Sequence, residues 1–97
     1  MVLRDVLANV EKYEARLVVY VAGDQEPGPG SLVELVNYVG PTTQEPAGKR
    51  YLLSIGDIRD VLETWSKWRD GCVPNDEERC EAVAFYAKHD GYLPIAG

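Results

Sequence analysis

Leu3, Val6, Leu7 and Val10 recur at helical spacing, Tyr13 continues the stripe, and Arg4, Asp5, Asn9, Glu11 and Lys12 occupy the other face. Apolar positions three and four apart share one side of a 3.6-residue turn, so this pattern predicts an amphipathic helix over about residues 2–14. The period then changes. Leu17-Val18-Val19-Tyr20-Val21-Ala22 is apolar at every position and rich in β-branched side chains. Such a run fits a strand that is covered on both sides or central in its sheet. Gly23-Asp24 stops it, and Pro27-Gly28-Pro29-Gly30 can continue neither regular element.

Leu32 to Val39 reads as a second strand. Placing Val33, Leu35 and Val39 inward leaves Glu34 and Tyr38 outward, with Asn37 as the misfit. The opposite phase is nearly as good, so the pattern leaves the register open. Gly40-Pro41 ends the strand, and the polar stretch Thr42 to Lys49 reads as a loop longer than the usual connection. Tyr51-Leu52-Leu53 is a short third strand.

Two helices follow. Ser54-Ile55-Gly56-Asp57 sets a hydroxyl three residues before a carboxylate, a variant of the capping box, with Leu53 placed to staple onto Ile58. Ile58, Val61, Leu62, Trp65 and Trp68 share one broad face of a helix over Ile55–Arg69. Asp57, Asp60 and Glu63 lie in its first half and Lys67 and Arg69 at its end, which complements the helix dipole, and Gly71 is the expected C′ residue. Asn75 is the predicted N-cap of a last helix, Asp76–Lys88, with Glu78 three residues on. Cys80, Val83, Ala84 and Ala87 give that helix a narrow face of small residues suited to close packing. Tyr92–Ile95 is an apolar tail. The expected order is α-β-β-β-α-α. Three successive strands joined by turns favour an antiparallel sheet, and helices gathered on one of its faces make the fold α+β, in a single domain.

Composition narrows the function classes. At 97 residues the chain is the size of one domain, and its 45% hydrophobic content is enough for one core. The formal net charge of −6 disfavours phosphate backbones and would steer basic partners toward the protein, so no nucleic-acid role is expected. Asp5 and Glu11 interrupt any signal-peptide core, and no apolar run reaches the roughly twenty residues of a membrane span. A cytoplasmic location with reduced Cys72 and Cys80 is the resulting expectation.

Candidate chemistry is sparse. Cys72, Cys80 and His89 are spaced far more widely than the knuckles of structural zinc, and no fourth ligand is obvious, although Asp90 could serve. A buried Cys80 and a turn Cys72 account for both thiols without metal, and a disulfide between them is sterically open. His89 could pair with Asp90, Glu77, Glu78 or Glu81 in acid–base work, but a nucleophile is also needed, and Ser54 is committed to capping. No catalytic residue, metal ligand or cofactor is therefore expected. Asp76, Glu77, Glu78 and Glu81 form an acidic patch that suits a helix N-terminus and could also meet a cation or a basic protein. Trp65 is expected in the core and Trp68 partly exposed. The candidate interaction surface is Trp68, Asp76, Glu77, Glu78 and Tyr92. The candidate pocket is Tyr20, Tyr38, Trp65 and Tyr86.

Tyr51-Leu52-Leu53, Val61-Leu62, Trp65, Trp68-Arg69, Pro74, Glu77-Glu78, Cys80-Glu81-Ala82-Val83, Tyr86-Ala87, Asp90 and Tyr92, with the opening Leu3-Arg4-Asp5-Val6-Leu7, carry a resemblance. The chain resembles a family of small, acidic bacterial domains of unknown function, some of which look like immunity or accessory proteins of mobile genes. The resemblance implies no activity and no site residue. The expectation is a non-enzymatic contact module that forms homo-oligomers, a dimer first, through Tyr92–Ile95 and the strand Leu32–Val39. The alternatives are an acidic immunity-type inhibitor of a basic toxin or nuclease, and a small-molecule-binding domain.

Overall fold

The computed structural model describes residues 1–23, 26–37, 40 and 46–94. The elements are α1 (Leu3–Ala8), a 3₁₀ turn (Val10–Lys12), β1 (Leu17–Ala22), β2 (Val33–Asn37), β3 (Lys49–Ser54), α2 (Ile55–Lys67) and α3 (Asp76–His89). The strands form one antiparallel sheet in the order β2-β1-β3, which makes the fold α+β with the expected sequence of elements. β1 is central, as its unbroken apolar run requires. Val19 and Val21 face the helices with no exposure, while Val18 and Tyr20, on the other face, are 5% and 3% exposed.

The first helix is shorter than its stripe predicts. Asn9 leaves helical geometry, its side-chain amide donates to the Asp5 carbonyl at 2.8 Å, and the chain tightens into the 3₁₀ turn. Local hydrogen bonding by Asn competes with the helical ladder in this way. The stripe survives the break, and Leu3, Val6, Leu7 and Val10 all reach the core. The start of α1 is tied to the loop before β2, since the amides of Leu3 and Arg4 donate to the carbonyls of Ser31 (2.8 Å) and Pro29 (3.0 Å). Those donors have no partner within a helix, so the Pro-Gly-rich loop supplies acceptors that a cap would otherwise provide. The Val33 amide donates to the Met1 carbonyl at 2.9 Å, and Val2 bridges Leu32. The first two residues thus lie along the outer edge of β2.

β2 is shorter than Leu32–Val39. Leu32 is held by its isolated bridge, and Tyr38 and Val39 lie outside the described residues. Pairing of Val21 with Val33 and Val19 with Leu35 fixes the register, with Val33 and Leu35 inward and Glu34 outward. β3 is longer than Tyr51–Leu53 and carries a bulge. Leu53 sits opposite Val19 while Tyr51 sits opposite Tyr20, so Leu52 is the extra residue. A bulge re-aims side chains, and here both consecutive leucines enter the core although strict alternation would expose one.

α2 opens as its sequence predicts on the Ser54 side, where the hydroxyl accepts from the Asp57 amide at 3.1 Å. The reciprocal half of a capping box is not among the described hydrogen bonds. α2 ends at Lys67, two residues before Arg69. The left-handed turn begins at Asp70 (φ 57°), ahead of Gly71 (φ 83°), and the Gly71 amide donates to the Ser66 carbonyl at 2.8 Å. α3 begins with a complete capping box between Asn75 and Glu78 and runs one residue past Lys88. Its small side chains let it pack against α1, α2 and β3, with Cys80, Ala82, Val83 and Ala84 all buried.

One side chain joins the N-terminal segment to α2. The Arg59 guanidinium donates to the carbonyls of Val10 (3.2 Å from Nη2) and Tyr13, and ion-pairs with exposed Glu11. Tyr13 closes the 3₁₀ turn, and the Val10 carbonyl accepts from the Tyr13 amide (3.3 Å) as well as from Arg59. The Gly56 amide reinforces the junction by donating to the Ala15 carbonyl at 2.9 Å. Arg59→Met keeps the apolar stem and removes the donors. It is expected to cost about 1–3 kcal/mol in urea unfolding, because partly buried acceptors lose a charged partner. An unchanged midpoint would show that the clamp contributes nothing.

Candidate functional site

The most developed surface lies where the chain after α3 turns back over α2. Asp90 adopts the left-handed conformation (φ 53°) and its amide donates to the Tyr86 carbonyl at 2.8 Å, which reverses the chain. Tyr92 then packs on Tyr86 (ring centroids 5.3 Å apart) and edge-on to Trp68 (5.8 Å). Arg69 anchors the returning segment. Its Nη1 donates to the Trp65 carbonyl at 3.0 Å, and its Nη2 reaches the carbonyls of Leu93 (3.4 Å) and Pro94 (3.3 Å). The guanidinium also lies 4.3 Å from the centre of the Trp65 ring, a favourable cation–π distance. Trp65 is therefore core and Trp68 is 47% exposed, as expected from their spacing. The role of Arg69 was not foreseen. Its sequence signal is the placement four residues after Trp65, which puts both on one helix face.

A groove opens beside this surface, between β3 and the last turns of α3. It measures about 640 Å³, and Tyr51, Leu52 and Leu53 line one side and Ala84, Tyr86 and Ala87 the other. Short side chains at Ala84 and Ala87 leave the space. Asp57 and Asp90 border the groove, and neither they nor Asp60 ion-pairs with any described cation. Burial pushes the Tyr86 phenol up, reinforced by Tyr92 and by the carboxylates Asp57, Asp90 and Asp60. Burial also raises Tyr51, with Asp57 and Tyr20 adding to it and a hydrogen bond at the Ser54 backbone opposing it. Both phenols stay neutral donors well into the alkaline range.

The remaining predicted residues scatter. Tyr20, Trp65 and Tyr86 do not line one pocket. Tyr20 packs on Tyr51 at 6.1 Å on the sheet face away from the helices, Trp65 sits under Arg69, Tyr86 faces the groove, and Tyr38 lies outside the described residues. Strand alternation separates Tyr20 from the helix layer. Of the interaction candidates, Trp68 and Tyr92 come together. Asp76 is paired with Arg79 at 2.8 Å and Glu78 is engaged in the capping box, which leaves Glu77 exposed without a cap or pairing role. Glu78 and Glu81 border a recess shared with Arg69, Leu93 and Pro94. Ile95, the end of the expected contact tail, is outside the described residues.

His89 stacks on Phe85 at 4.4 Å and is exposed. Among the described residues no three His, Cys, Asp or Glu side chains converge as a metal-holding group, and no helix is long and apolar enough to cross a membrane. Comparison with models of known protein families, with curated proteins and with solved structures gives no match.

The two thiols are free and differ sharply in surroundings. Cys72 is exposed, whereas burial pushes Cys80 up to about 11, with Asp76 adding to the shift and Arg79 opposing it. The thiolate is the reactive form. At about pH 8 a maleimide reagent should label Cys72 alone in the folded protein and both thiols after denaturation, as read by intact mass. Because folding holds Cys80 above its ordinary 9.0, its contribution to stability is complete below pH 9.0 and declines as pH rises toward about 11. Equal labelling of both thiols in the folded state would contradict this placement.

Proposed function

We propose that this protein is a non-enzymatic protein–protein contact module that self-associates, as a dimer, through the surface around Trp68 and Tyr92. The observation that carries the reading is the exposed pair itself. Two large aromatic side chains from different segments lie edge to face, 47% and 37% exposed, and Arg69 fixes the segment that presents one of them. Rigid aromatic anchors lose little conformational freedom on binding and are enriched where interface energy concentrates. His89, stacked on Phe85, and Ser54, held in its cap, are occupied in structural roles, which favours contact over chemistry.

Sedimentation equilibrium tests this. The wild type is expected to dimerise in the micromolar range, and Trp68→Ser to weaken the dimer by about thirtyfold, the effect of losing one anchor. A wild-type protein that remains monomeric at high micromolar concentration overturns the reading.

A second reading is an acidic immunity-type inhibitor of a basic toxin or nuclease, made in the cytoplasm. Glu77 and Glu81 favour it, since both are exposed on α3 without a described ion-pair partner in a chain of net charge −6. Glu77→Lys with Glu81→Lys is the cleaner reversal, because Asp76 and Glu78 also stabilise the helix start. Unchanged binding to a co-encoded basic protein would remove this reading.

A further inference from the structure

We propose that the groove between β3 and α3 accepts an extended segment of a partner protein, with basic side chains at alternate positions, as a fourth strand of the sheet. The Ala22 amide donates to the Leu32 carbonyl at 2.9 Å, so even-numbered residues of β1 face β2 and odd-numbered ones face β3. Val19–Leu53 and Val21–Arg50 are then the directly bonded pairs, and the Tyr51 amide and carbonyl point away from β1. Among the described residues nothing outside the sheet bonds them. The other edge of the sheet differs, because Met1 and Val2 already occupy part of β2.

An edge strand is a template for another strand, and peptide recognition by strand addition draws affinity from the backbone and specificity from pockets for alternate side chains. The bulge supplies the floor by turning Leu52 and Leu53 inward, and Ala84 and Ala87 set the opposite wall back far enough to leave about 640 Å³. Charge selects the occupant. Asp57 and Asp90 border the groove beside the rings of Tyr51 and Tyr86, while Arg50, also at the border, is engaged with the Gly23 carbonyl at 2.9 Å. Lys88 is the other bordering cation. A lysine or arginine entering the groove meets carboxylates that no described cation pairs with. One exposed rung and one groove support weak, reversible capture.

The inference rests on reading the chain as a contact module, but it does not require self-association. The test uses the full chain, ¹⁵N-labelled, titrated with an acetylated and amidated hexapeptide of alternating lysine and valine, and with its glutamate–valine counterpart. The lysine peptide is expected to shift the Tyr51 and Ala87 amides saturably, with Kd below about 1 mM, and to protect the Tyr51 amide from exchange. Asp57→Asn and Asp90→Asn should each weaken it about two- to fivefold. Ala87→Leu should abolish binding by filling the groove at an exposed position. Ala87→Lys, whose flexible chain reaches solvent, serves if the leucine variant misfolds. The proposal falls if no saturable shift occurs, if the glutamate peptide binds equally, or if a folded Ala87 variant binds as wild type does. It also falls if the Tyr51 amide shifts with the protein's own concentration, which would place a second copy on the edge. Peptide capture by a strictly monomeric protein would refute self-association and retain the groove.

Discussion

Burial of β1 on both faces is the constraint that organises this small fold. Val19 and Val21 need a helix layer on one side, and Val18 and Tyr20 need cover on the other. Each fully buried aliphatic side chain contributes about 1.5–3 kcal/mol, so leaving either face open would remove a large part of a stability that is small in total. A strand this apolar must also be flanked by two others to satisfy its backbone. β2 and β3 do that and thereby become the edges. The sites described above follow from how each edge is finished. β2 is overlaid by the first two residues, and β3 borders a helix too slender to close upon it.

The elements were legible because they depend on short-range patterns. The stripe from Leu3 to Val10, the apolar run of β1, and the caps at Ser54 and Asn75 each involve residues within a few positions of one another. So does the division between Trp65, on α2, and Trp68, which caps its end. The local breaks were less visible. Asn9 looks like an ordinary polar-face residue until its amide is seen bonding Asp5, and nothing in Tyr51-Leu52-Leu53 announces that the second leucine follows the first into the core. Asp70 joins Gly71 in the left-handed region that a glycine rule assigns to Gly71 alone, since an aspartate tolerates that geometry and the turn begins one residue sooner.

The candidate site was legible only in fragments. Trp68 and Tyr92 stood out singly as exposed aromatics. Their meeting depends on Arg69 bonding two carbonyls in the segment after α3, more than twenty residues away in sequence. The groove is a product of what α3 lacks. Ala84 and Ala87 read as a face for close helix packing, and Cys80 and Val83 do pack that way. At the far end of the helix the neighbour is a strand edge, and the same smallness becomes open space. Tyr20, Trp65 and Tyr86 read as lining one pocket between the helices and the sheet, yet strand alternation and the core divide them.

The bulge at Leu52 also governs how β3 tolerates changes in length. Deleting Leu52 would restore strict alternation and leave Leu53 opposite Val19 and Tyr51 opposite Tyr20. Tyr51 would keep its place beside Tyr20, and Arg50 the side from which it reaches Gly23, while the core would lose one buried leucine. A single-codon deletion at the bulge thus subtracts core volume without turning the strand over. A deletion elsewhere in β3 that keeps the bulge would instead shift the register and carry the residues beyond it to the opposite face.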